Sequence, residues 1–207
     1  MNRFQAQLAI SATLFLGGAA VAPAAETVRK YSDGPLTPAD FRAAVPDPQP
    51  EIDGRKMRAM TFTEIRYTTR YRWDESKPGH VTAYLTRFNT YARLFCDKCW
   101  IKEPMDLRLL SHEQGHFDIT EIHARRARQK IEKLMADKSI VGHGRDERTA
   151  IADLEKKIHD EMQTIFDDER AEQIEYDRVT NHGRDHPAQD RERTRIDEEL
   201  KATAEKK

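Results

Sequence analysis

Two long proline-free stretches, residues 105–138 and 149–176, constrain this chain more than anything else in it. In the first, Leu107, Leu110, Ile119, Ile122, Ile131 and Leu134 recur at helical spacings; in the second, Ile151, Leu154, Ile158, Met162, Ile165 and Ile174 do the same. Each set builds one apolar stripe along a helix, the pattern of an element that buries one face. Between them Ser139 to Arg148, with Gly142-His143-Gly144, reads as a loop. The pattern predicts two helices folded back as an antiparallel hairpin.

The preceding residues change period. From Met57 to Trp73 side chains alternate, with Ile65, Tyr67, Tyr71 and Trp73 on one side, and after the turn signal Pro78-Gly79 the alternation resumes from His80 to Phe88. An antiparallel β-hairpin is expected, with a short strand or loop from Arg93 to Ile101. Residues 25–56 carry recurrent proline and glycine and are expected to be extended. Past residue 190 the chain is almost wholly polar, so residues 191–207 are read as a solvated, frayed helix.

The N-terminus has the layout of an export signal: Arg3, an apolar run from Leu8 to Ala22, and the small-residue site Ala22-Pro23-Ala24. Residues 1–24 are therefore expected to be removed, placing the chain in the periplasm or outside the cell, with no stable membrane span afterwards. With 35 basic and 36 acidic residues there is no net field to recruit nucleic acid. Cys96 and Cys99, the only cysteines, would pair as a local disulfide in an oxidising compartment.

Inside the first helical stretch lies His112-Glu113-Gln114-Gly115-His116. Residues four apart share a helix face, so the two imidazoles can hold one zinc ion while Glu113 holds the attacking water as general base. Gly115 in mid-helix costs about 1 kcal/mol relative to Ala, which points to a packing or access reason, backbone close to a strand or substrate. A catalytic zinc has three protein ligands, so one is missing. A third histidine at the metzincin spacing is absent, since Ile119 and Ile122 stand there, and His123 lies too far along the helix and is read as a surface residue. Glu121 is assigned a supporting role. Counting back round the hairpin sets His116 level with about residue 170 and His112 with about residue 174, which brings Glu169, Glu172, Tyr176, Asp177 and His182 close.

The pairing of His-Glu-Gln-Gly-His-Phe-Asp-Ile-Thr-Glu with a later Tyr176-Asp177-Arg178-Val179-Thr180-Asn181-His182-Gly183 resembles a bacterial family described as predicted secreted zinc-dependent proteases, domain of unknown function 922. The resemblance implies His182 as third ligand, ahead of Glu172 or Asp177, and Tyr176 as a donor to the transition state. The expected fold is α+β and zincin-like, a small antiparallel sheet packed on the helical hairpin, with the zinc metalloprotease domain over residues 57–190. The expected activity is hydrolysis of a peptide or protein substrate using Zn2+. Two alternatives share these residues: a non-catalytic zinc-binding envelope protein, and a zinc amidase acting on cell-wall peptides.

Overall fold

A computed structural model describes residues 27–52, 54–103 and 106–204, so the expected signal segment 1–24 lies outside the described residues. Within them the chain is mixed α/β, with three α-helices and small antiparallel sheets. The strands are β1 (Val28–Lys30), β2 (Glu51–Ile52), β3 (Arg55–Lys56), β4 (Ala59–Met60), β5 (Thr63–Lys77), β6 (His80–Phe95), β7 (Trp100–Ile101) and β8 (Val141–Gly144). The helices are α1 (Leu107–Ala136), α2 (Glu147–Thr180) and α3 (His186–Ala202). No helix among the described residues is long and apolar enough to cross a membrane. Two compact units result: one gathers Tyr67–Thr90 and Arg126–Asp167, the other the described residues of 20–66, 91–125 and 168–207.

In the first unit, the Pro78-Gly79 turn joins β5 to β6, with Gly79 at φ 77°, a left-handed conformation that favours glycine. Tyr67 stacks on Phe88 across the two strands. The segment read as a loop is instead β8, paired with β6 from Val81↔Gly144 to Tyr84↔Val141. Its glycines explain the difference: a Cβ on Gly142 would stand 2.1 Å from the Ala150 carbonyl oxygen, so only bare backbone lies this close to α2. His143 and His159 belong to this unit.

The second unit contains the motif residues. β1 extends the C-terminal end of β6 (Val28↔Phe95), and β4 pairs with β7 (Met60↔Trp100). The expected single strand from Met57 is interrupted at Thr61 and Phe62, between β4 and β5. One core cluster joins Leu36, Leu94, Cys96, Cys99 and Phe117, so the proline-rich segment supplies a buried residue of its own. Leu36 is fixed there by its N–H, which donates to Gln114 Oε1 at 2.6 Å. The cysteines are buried free thiols, contrary to the expected disulfide. Cys99 Sγ instead accepts the N–H of Phe62 at 3.1 Å, and burial pushes its thiol up to about 11.

The segment expected to be a solvated tail forms α3. Asp185 caps its N-terminus by accepting the N–H of Ala188, with Pro187 in the first turn. Ile196 is fully buried with Ile119, Ile122 and Tyr176, worth roughly 1.5–3 kcal/mol. The charges around it are paired: Arg193 meets Asp118 at 2.6 Å and Arg195 meets Glu172 at 2.8 Å. Composition counts such residues as polar, whereas here their partners lie on α1 and α2.

Candidate metal centre

Within the second unit α1 and α2 run antiparallel. His112 faces Asp177, His116 faces Gln173 and Thr120 faces Glu169. The register is displaced by three residues from equal counting, from 170 to Gln173 and from 174 to Asp177. At Gly115 a side chain of α2 presses on the backbone of α1: a Cβ there would stand 2.3 Å from the Tyr176 hydroxyl. The Tyr176 ring stacks on His112 at 4.8 Å and meets His116 edge-on at 5.1 Å, forming a floor under both imidazoles.

Three imidazoles converge on one carboxylate oxygen. Asp177 Oδ1 lies 3.0 Å from His112 Nε2, 3.3 Å from His116 Nε2 and 3.2 Å from His182 Nδ1. The last turn of α2 delivers His182: Asn181, His182 and Gly183 are all left-handed, at φ 49°, 52° and 72°, which turns the chain back on itself. Gly183 is required there, because a Cβ would stand 2.9 Å from the His112 ring.

Hydrogen bonding fixes which nitrogen of His116 faces Asp177. Gln173 Nε2 donates to the His116 carbonyl and to Glu169, both acceptors only, so Gln173 Oε1 must be the atom 2.6 Å from His116 Nδ1. Nδ1 therefore carries a proton and Nε2 is the end turned to the cluster, the arrangement in which a supporting hydrogen bond orients a ligating imidazole. His112 is buried with Nε2 on the same point, and its Nδ1 has no partner. Burial is the largest influence on His112 and lowers its pKa, with the Asp177 bond acting in the opposite sense. For His116 burial also works against the charged form, but the bond and charge of Asp177 outweigh it and the pKa is raised. Asp177 is likewise opposed by burial, yet its imidazole partners hold it far below the usual carboxylate range. The site thus favours positive charge at its centre.

His112, His116 and Asp177 form a compact donor set, with ligand atoms within 4.8 Å of one another. His182, the third ligand that the resemblance implies, touches Asp177 at 3.2 Å but lies outside that set. Glu172, the other alternative, is turned elsewhere: it meets His123 at 2.7 Å and Arg195 at 2.8 Å. His123, expected at the surface, is buried in that contact. Glu121 is structural, as expected, bonding Arg125 and the N–H of Ala92.

A cavity of about 360 Å³ opens beside the cluster, lined by His112, Glu113, His116, Asp177 and His182. Glu113 is buried, and Thr61 donates its hydroxyl to Oε2 at 2.6 Å. Tyr176 is not among the lining residues; its hydroxyl donates to the His112 carbonyl at 3.3 Å, beneath the ring. Tyr176, the expected transition-state donor, is thus buried and packed against both imidazoles. Thr61 and Gln173 were not anticipated from the sequence. The interruption of strand alternation at Thr61 and Phe62 is a signal for the first, and no local pattern marks the second.

No curated protein and no solved structure matches the chain. Residues 97–183, which run from the turn before β7 to the left-handed turn after α2, match the model of a family described as a bacterial protein of unknown function (DUF922), and this supports the family to which the two motifs pointed.

Proposed function

We propose that the chain is an exported, zincin-like, zinc-dependent peptide hydrolase. The convergence of His112, His116 and Asp177 at the wall of an open cavity, with Glu113 beside them, is the observation that carries this reading. His112, His116 and Asp177 would hold the ion. Zinc supplies Lewis acidity, which polarises a carbonyl and brings the pKa of water from 15.7 to roughly 7.

The remaining work falls to the chain. Thr61 holds Oε2 of Glu113, which leaves Oε1 to take a proton from the attacking water and return it to the departing amine. Gln173 keeps His116 in the required tautomer. His182, tied to Asp177 through Nδ1, has Nε2 left for the carbonyl oxygen and takes the role expected of Tyr176. Substrate contact is supported by four exposed apolar residues in the lining, Ile52, Met60, Phe62 and Ile174. Among the described residues β4 pairs on one side only, and such an edge can receive an extended peptide by main-chain pairing.

A second reading has an observation of its own. His182 stands 3.2 Å from the same oxygen, and as a fourth ligand it would close the site and make zinc structural. The two separate in one experiment: peptide cleavage by the purified mature chain and by Glu113→Gln, with zinc content measured on both. Hydrolysis requires the substitution to abolish cleavage while zinc is retained. Cleavage that persists in Glu113→Gln would end the mechanism, and a wild-type protein that binds zinc but cleaves nothing would favour the closed site.

A further inference from the structure

Beside the hydrolytic residues the same cavity is lined by Arg55, Arg58 and Arg184. Their partners differ from those of the acidic groups nearby. Glu113 is held by Thr61, Glu169 by Thr120 and Gln173, and Asp177 by imidazoles. Arg58 meets Asp106 at 2.7 Å, in a pair that is half exposed. Arg55 and Arg184 meet no carboxylate among the described residues: Arg55 reaches only Asn181 Oδ1, at 3.4 Å, and Arg184 donates to the Lys56 carbonyl at 2.9 Å. Arg184 is half-buried and lines the same cavity as Arg55 and Arg58.

Neutral oxygens thus hold Arg55 and Arg184, and only Arg58 meets a carboxylate, so like charges gather at the edge of one cavity. A bound anion would relieve that repulsion, and guanidiniums match a carboxylate through paired hydrogen bonds. Arg184 follows His182 by two residues and lines the same cavity, so an anion bound there would lie beside the proposed metal centre.

We propose that Arg55, Arg58 and Arg184 form a carboxylate subsite, so that the protein selects peptides carrying a carboxylate near the bond it cuts. This rests on the peptide-hydrolase reading. The carboxylate can be a Glu or Asp side chain or a free C-terminus.

The test uses fluorogenic peptides that differ only in Glu against Gln near the cleaved bond, each made with a free or an amidated C-terminus. Cleavage is measured with the zinc-loaded mature chain. Binding is measured separately by fluorescence anisotropy on Glu113→Gln. The acidic or free-acid member should be favoured about tenfold or more in kcat/KM and Kd, an advantage that weakens with added salt. Arg184→Gln should bring the two members of a pair to near parity, with Arg184→Lys intermediate. Arg55→Gln, at an exposed position where folding is not at stake, should lower the ratio in the same sense. Preference for Glu over Gln assigns a side-chain carboxylate, and preference for the free over the amidated end assigns the C-terminus. Acid-selective binding without cleavage would keep the subsite and remove the hydrolase. Equal binding and cleavage of all members would overturn the subsite and leave the hydrolase standing.

Discussion

Two histidine–carboxylate contacts lie between the same pair of helices, in different surroundings. His112 meets Asp177 at 3.0 Å, and His123 meets Glu172 at 2.7 Å. Both histidines are buried and both carboxylates are drawn below their ordinary range. Glu172 shares its charge with Arg195 from α3, which supplies the neutralising cation permanently. Asp177 instead gathers three imidazoles at a cavity wall and meets no guanidinium or ammonium among the described residues. A histidine bonded to a carboxylate is therefore no mark of a metal site. What sets the Asp177 cluster apart is that three imidazoles meet one carboxylate oxygen at a cavity wall with no guanidinium bonded to it among the described residues.

The largest effect that would sharpen this comparison is catalytic. Glu113→Gln should lower kcat about 10²- to 10⁴-fold with zinc retained, read by peptide cleavage and metal analysis. Next comes the contrast between the two carboxylates. Asp177→Ala should weaken zinc binding by about 100-fold or more, since it removes a ligand rather than a supporting partner. Glu172→Gln should leave zinc binding unchanged and cost about 2 kcal/mol of stability in denaturant unfolding, because Arg195 and His123 lose a charged acceptor. Similar zinc loss in both variants would dissolve the distinction. Gly115→Ala should destabilise by about 1–3 kcal/mol, because its Cβ would meet the Tyr176 ring, and a variant as stable as wild type would mean the helices do not approach there.

The smallest effect is on pH dependence. Burial opposes ionisation of Glu172, but the hydrogen bonds and charges of His123 and Arg195 hold it at about 2, against an ordinary value of 4.5. A carboxylate depressed by folding adds stability above its unfolded pKa and loses it as pH falls through the folded one. Wild-type stability should therefore decline between about pH 4.5 and 2 more steeply than that of Glu172→Gln, measured by thermal unfolding across that range. Parallel declines would show that the Glu172 network adds nothing.

Much of this was legible because it is local. The four-residue spacing of His112 and His116, the helical stripes and the Pro78-Gly79 turn each depend on near neighbours in sequence. The rest depends on what returns from far away. Equal counting fell three residues short because residues 137–146 hold an extended strand rather than a compact turn, and a strand rises about 3.3 Å per residue. His123 is too far along α1 to share an ion with His116, and spacing alone does not show that Glu172, itself tied to Arg195 of α3, buries it. Ile196 and Leu200 were visible as two aliphatics in a charged run, but that Arg193 and Arg195 would find Asp118 and Glu172 is a property of the fold. Ile174 was counted into the apolar stripe of α2 and is instead exposed at the cavity.

Asp177, and not Glu172, is proposed to complete a zinc site with His112 and His116. Zinc titration of the purified mature chain, monitored by calorimetry for wild type, Asp177→Ala, His182→Ala and Glu172→Ala, tests it most directly. About one tightly bound ion per wild-type chain is expected, retained in Glu172→Ala and His182→Ala and lost in Asp177→Ala. Zinc kept in Asp177→Ala and lost in His182→Ala would contradict it.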